Sequence, residues 1–158
     1  MNLRPFVLAL FAAMLSFSAQ ATQLTCPDLA AAAQVNACPT EEELKFTYTA
    51  FCSDNAKAYA KETDSCLRYQ DYRQMKNTAM WESKDGEFSG YISCDLPVAK
   101  VKALKATGMK IERQGTLNKV VCSYPGGITL SYRTKNSCAI DNDKACATAV
   151  ANCRATCN

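Results

Sequence analysis

VVCSYPGGITLSY, Val120 to Tyr132, decides the fold. Val120, Cys122 and Tyr124 alternate with Val121 and Ser123, and after Pro125-Gly126-Gly127 the residues Ile128, Leu130 and Tyr132 alternate with Thr129 and Ser131. A period of two sends successive side chains to opposite faces of a strand, and a proline followed by paired glycines punctuates the chain as a turn. The segment therefore reads as two antiparallel strands that share an apolar face. Towards the N-terminus, Met109 and Ile111 alternate with Lys110 and Glu112 ahead of Gly115, which predicts a third strand. Further back, Met80-Trp81-Glu82-Ser83 and Phe88 to Cys94 flank Lys84-Asp85-Gly86, the pattern of a hairpin around an Asp-Gly turn, with Phe88, Gly90, Ile92 and Cys94 on one face. Between the hairpin and the third strand, Asp95 to Thr107 predicts a helix with Pro97 in its first turn and Gly108 as its stop.

Helical patterns flank this block. Pro27-Asp28 opens the alanine-rich Leu29 to Val35, Thr40 and Glu43 have capping-box spacing, and Asn55 to Arg68 is again helix-like. Phe46-Thr47-Tyr48-Thr49 disagrees, because β-branched and aromatic residues favour strands. In the tail, Asp141 to Cys157, the residues Cys146, Val150, Cys153 and Cys157 follow a 3.6-residue stripe, which predicts a helix. Cysteines so placed on one helix should reach other elements rather than one another. The expectation is one disulfide-rich α+β domain over residues 22–158: an N-terminal helical segment on a small antiparallel sheet, one crossing helix and a C-terminal helix.

Residues 1–21 read as a cleaved secretory signal peptide. Arg4 is the positive end, Phe6 to Phe17 is the apolar run, and Ala19-Gln20-Ala21 is the small-x-small cleavage pattern. The run is shorter than the roughly 20 apolar residues a membrane span needs, and no second apolar stretch follows, so no transmembrane segment is expected after cleavage. All ten cysteines follow the leader: Cys26, Cys38, Cys52, Cys66, Cys94, Cys122, Cys138, Cys146, Cys153 and Cys157. An even, high count behind an export signal implies disulfides, in a pairing that spacing alone leaves open.

The chain contains no histidine. That removes Ser-His-Asp and Cys-His catalysis, a His-Glu-x-x-His zinc site and a histidine base. Cysteines committed to bridges supply neither a nucleophile nor a metal site. Glu82, Asp85 and Glu87 crowd the first hairpin, where turn residues are the simpler reading than an acid/base pair, and Asp141-Asn142-Asp143 lacks the glycine and final glutamate of a calcium loop. No catalytic residue, metal or cofactor is therefore assigned.

Charge supplies the positive lead. Residues 22–96 carry seven Lys and Arg against twelve Asp and Glu, whereas residues 97–135 carry Lys100, Lys102, Lys105, Lys110, Arg113, Lys119, Arg133 and Lys135 against Glu112 alone. Such asymmetry marks a candidate surface for an anionic lipid or glycan. Each cation near an anionic membrane contributes about 1 kcal/mol. Nucleic acid is not expected, since no aromatics interleave with the cations; Trp81, Tyr91, Tyr124 and Tyr132 are assigned to core or sheet-face packing.

The leader, Cys26-Pro27, the hairpin residues Trp81 and Phe88-x-Gly90-Tyr91-Ile92, and Cys122-Ser123-Tyr124 together resemble small cysteine-rich exported proteins of Legionella-type Gram-negative bacteria, type II secretion substrates among them. The resemblance implies passage through an oxidising periplasm, an extracellular destination and an effector-like role in virulence at a host or environmental surface. It transfers no catalytic residue. The leading expectation is a secreted, non-enzymatic binding module that recognises acidic headgroups, phosphoinositides in particular, through the basic region 97–135. Two others compete with it: a protein-interaction module, such as an inhibitor of a host hydrolase, and a carboxylate-dependent glycosidase, which requires two acids about 5–9.5 Å apart in one cleft.

Overall fold

The Asp-Gly turn, strand alternation and the capping box all recur in the computed structural model, which describes residues 21–53, 64–142, 144, 146 and 149–158. Five strands follow the predicted pattern: β3 (Thr78–Glu82), β4 (Ser89–Ser93), β5 (Gly108–Gln114), β6 (Leu117–Ser123) and β7 (Thr129–Thr134). With β2 (Ala33–Gln34) they form one antiparallel sheet in the order β2-β3-β4-β7-β6-β5. A second sheet joins distant parts of the chain: β1 (Thr22–Leu24) pairs with β9 (Ala155–Cys157), and β9 with β8 (Cys138–Ile140). The turns use glycine where a side chain is disfavoured. Gly86 and Gly115 adopt φ of 76° and 60° at the β3–β4 and β5–β6 bends.

Three α-helices are described: α1 (Glu41–Cys52), α2 (Tyr69–Lys76) and α3 (Val98–Ala103). The capping box is complete, with the Glu43 amide donating to Thr40 Oγ1 at 3.2 Å and the Thr40 amide donating to Glu43 Oε2 at 2.7 Å. Once started, the helix runs through Phe46–Thr49 despite its strand-favouring composition. Thr47 and Thr49 turn their hydroxyls onto the carbonyls of Glu43 and Lys45, so neither competes with the ladder. Rings join α1 to α2: Tyr48 meets Tyr69 and Tyr72 edge-on at 5.4 and 5.3 Å, and Phe51 packs on Tyr72 at 5.6 Å.

Arg73 then pins this helical pair to the sheet. Its guanidinium donates to both Asp95 oxygens (3.1 and 3.0 Å) and to Glu41 (3.3 Å), while buried Asn77 donates to Asp95 and its carbonyl accepts the Cys94 amide. Asp95 consequently holds its carboxyl below the usual range, chiefly through the hydrogen bonds from Arg73.

One side of the six-stranded sheet makes the main core. Trp81, Phe88, Ile92, Val120, Cys122 and Leu130 pack there against Leu29 and Ala32, Val101 of α3, and Leu24, Ala155 and Cys157 of the small sheet. Tyr124 is buried with them, its hydroxyl donating to the Pro27 carbonyl at 2.7 Å. Burial and the nearby Asp28 charge push that phenol well above its ordinary value.

Five disulfides join all ten cysteines: Cys26–Cys122, Cys38–Cys94, Cys52–Cys66, Cys138–Cys157 and Cys146–Cys153. The α+β, disulfide-rich architecture is as expected, and bridges of this number belong to an oxidising compartment. No described helix is long and apolar enough to cross a membrane.

Several local expectations are corrected. The tail is not one helix: Lys144 and Cys146 have helical backbone, but Val150–Asn152 is a 3₁₀ turn and Ala155–Cys157 is a strand. Cys146 and Cys153 bond to each other, seven residues apart, because the backbone turns between them. Their helix-like spacing reflects bridging rather than a shared helical face. Leu29 to Val35 forms a 3₁₀ turn (Leu29–Ala31) and then β2, whose two residues pair with Trp81 and Glu82. The crossing helix is confined to Val98–Ala103. Of the helix expected over Asn55 to Arg68, residues 55–63 lie outside the described residues, and Asp64–Cys66 is a 3₁₀ turn.

Candidate functional site

Antiparallel cross-strand partners point to the same face, so strand register sorts the sheet's side chains into two sets. Ile111 partners Val120, which partners Tyr132; this row belongs to the core side. The alternate residues belong to the opposite, outer side. There Glu112 partners Lys119 and Lys119 partners Arg133. The next outer row runs Lys110, Val121, Ser131, Ser89, Glu82 and Ala33 across the six strands. Tyr91 and Met80 make a further outer pair at the β3–β4 end. Tyr91 is 67 % exposed, and Thr129, Arg133, Lys110 and Glu112 are exposed as well.

Lys119 and Arg133 therefore stand side by side as like charges on interior strands. Among the described residues neither forms a salt bridge. Arg133 donates to Ser89 Oγ at 3.4 Å. Glu112, on the neighbouring edge strand, is committed to Lys110 at 2.7 Å, and its carboxyl is lowered first by that hydrogen bond and charge, with a smaller contribution from Lys119. Lysines guard exposed sheet edges against unwanted strand pairing. That accounts for Lys110 on β5; it does not account for Lys119 on β6 or Arg133 on β7, both interior in the strand order.

The eight predicted cations do not converge. Lys110, Lys119 and Arg133 share the outer face. Arg113 falls in the core-side row beside Asn118, to which its Nε donates at 3.4 Å. Lys100 and Lys102 are exposed on α3, and α3 covers the core side of the sheet through Val101, so they lie behind the outer face. Lys105, just beyond α3, is held by Asp28 at 2.8 Å. Lys135 follows β7 and is exposed.

The four aromatics assigned to packing also divide. Trp81 and Tyr124 are buried and Tyr132 is half-buried on the core side, but Tyr91 faces outward. Its parity, odd among the even-numbered Phe88, Gly90 and Ile92, is the signal that places it there. Strand parity likewise picks out Ser89 and Ser131, which charge counting passed over.

A depression of about 860 Å³ lies between α1, α2 and residues 36–39, lined by Leu44, Phe51, Tyr72, Thr47, Lys76 and Pro39 among others. Its charged groups already have partners: Glu43 caps α1, and Lys76 sits over the Phe51 ring at 5.4 Å. In the first hairpin, Asp85 is taken up by its own turn. Asp85 accepts from the Ser83 hydroxyl and the Glu87 amide, and those bonds lower its carboxyl. Asp28, Glu41, Glu43, Asp95 and Glu112 are lowered too, each mainly by a hydrogen bond. No family model, curated protein or solved structure matches this chain.

Proposed function

We propose that the protein is an exported, non-enzymatic binding module that takes an anionic ligand on the outer face of its six-stranded sheet. One observation carries this reading: Lys119 and Arg133 are direct cross-strand neighbours on interior strands, without a salt bridge among the described residues. Like charges opposite one another weaken a sheet, and an anion seated between them reverses the sign of that interaction. Neighbouring Ser89 and Ser131 hydroxyls add donors that suit a phosphate or sulfate oxygen. The five disulfides support an oxidising, exported setting. Relative to the whole region 97–135, the reading narrows the site to the cations that share a face.

Binding of inositol hexakisphosphate and of phosphoinositide vesicles, measured across a salt series, tests the placement. Lys119→Ser with Arg133→Ser should abolish salt-dependent binding of either polyanion, while Lys100→Ser with Lys102→Ser, behind the sheet, should leave most of it. Equal losses from the two pairs would overturn the assignment to the outer face.

A further inference from the structure

The outer face also carries a feature that a compact anion does not use. Tyr91 is exposed on β4, and between it and the cations lie Ser89, Ser131, Ser123 and Thr129, all partly or fully accessible, with Val121 buried beside Ser131. Gly90 keeps this ground close-knit: a Cβ there would lie 2.1 Å from the Thr129 carbonyl oxygen, so β4 and β7 touch backbone to backbone. Ser89 is opposite Ser131, and Tyr91 and Arg133 extend from that pair in opposite directions. Two strand residues each way put their backbone positions roughly 14 Å apart along the strands, and the Arg133 guanidinium reaches back from its end to Ser89 Oγ at 3.4 Å.

Resting on the anion-face reading, we infer that the ligand class is an acidic polysaccharide, sulfated or uronic-acid-bearing, lying across β4, β7 and β6. Tyr91 offers a flat apolar ring against which the C–H face of one sugar stacks. The serine and threonine floor hydrogen-bonds to ring hydroxyls, and Lys119 with Arg133 holds the sulfate or carboxylate of a sugar further along. The backbone positions of Tyr91 and Lys119 stand four strand residues and two strands apart, a separation that suits a chain of sugars better than a single headgroup. Glu112 and Glu82 lie on the same face; they oppose a uniformly anionic membrane plane but tolerate a chain whose charges are spaced.

The test compares a heparin-derived octasaccharide, its desulfated counterpart, a heparin disaccharide and phosphoinositide vesicles as ligands for the full chain. The octasaccharide should bind, with the disaccharide and the desulfated chain at least about tenfold weaker. Tyr91→Ala should weaken the octasaccharide about tenfold at every salt concentration, whereas Lys119→Ser with Arg133→Ser should remove the salt dependence. Both variants replace outward-facing side chains, and an unchanged unfolding midpoint confirms that each is folded. Vesicle binding without octasaccharide binding would overturn the polysaccharide class and leave the anion face standing. Full octasaccharide affinity in Tyr91→Ala would overturn the extended site. No binding of any polyanion would overturn both.

Discussion

The two faces of the six-stranded sheet are written by alternate residues of the same strands, and they obey different rules. On the core side, Ile92, Val120, Cys122 and Leu130 are almost fully excluded from water. On the outer side, the interleaved Tyr91, Lys119, Ser131 and Arg133 are exposed or half-exposed and include a like-charge pair. The first set is chosen for burial, at about 25 cal/mol per Å² of apolar surface. The second tolerates an unfavourable neighbour because stability is secured one residue away. Substitutions one position apart should therefore separate folding from binding.

The largest effect is expected on the core side. Leu130→Ala removes a side chain with no solvent exposure from β7, and chemical denaturation should show a loss of about 2–5 kcal/mol. A loss under 1 kcal/mol would mean that this face is not the main core. Gly90→Ala comes next, since its methyl group meets the Thr129 carbonyl oxygen and the backbones of β4 and β7 must part. The same measurement should show about 1–3 kcal/mol lost. Tyr91 would be displaced with β4, so this variant should also bind less well, which blurs the separation of the faces in a defined way. The smallest effect belongs to the outer side. Arg133→Thr exchanges a like-charge contact for a β-favouring residue and should leave stability unchanged or raise it by up to about 0.5 kcal/mol. A loss above 1 kcal/mol would make Arg133 a structural residue and sharpen the comparison against the binding face.

Alternation made the five long strands legible, because a sheet buried on one side leaves a period of two in its sequence. The same parity, applied to Tyr91 and the cations, already contains the division between the faces. Summing charge over residues 97–135 erased it, since a count along the chain is blind to which side of the sheet each residue takes. The short strands were illegible for a different reason. β1, β2, β8 and β9 have two or three residues each, too few to show a period, and they exist because partners far away in sequence satisfy their amides. In the tail, cysteine spacing mimicked a helix. Cys146 and Cys153 are positioned by the bond between them, and Cys157 by its register opposite Cys138.

The pairing of β1 with β9 has a consequence for how the molecule is made. Thr22 lies opposite Cys157, and Cys157 carries the bridge to Cys138. A ribosome delivers residue 157 long after residue 22, so the small sheet stays open, and its side of the core wet, until then. Arrival of the last strand between β1 and β8 is the event that shuts the clasp, and oxidation of Cys157 locks it.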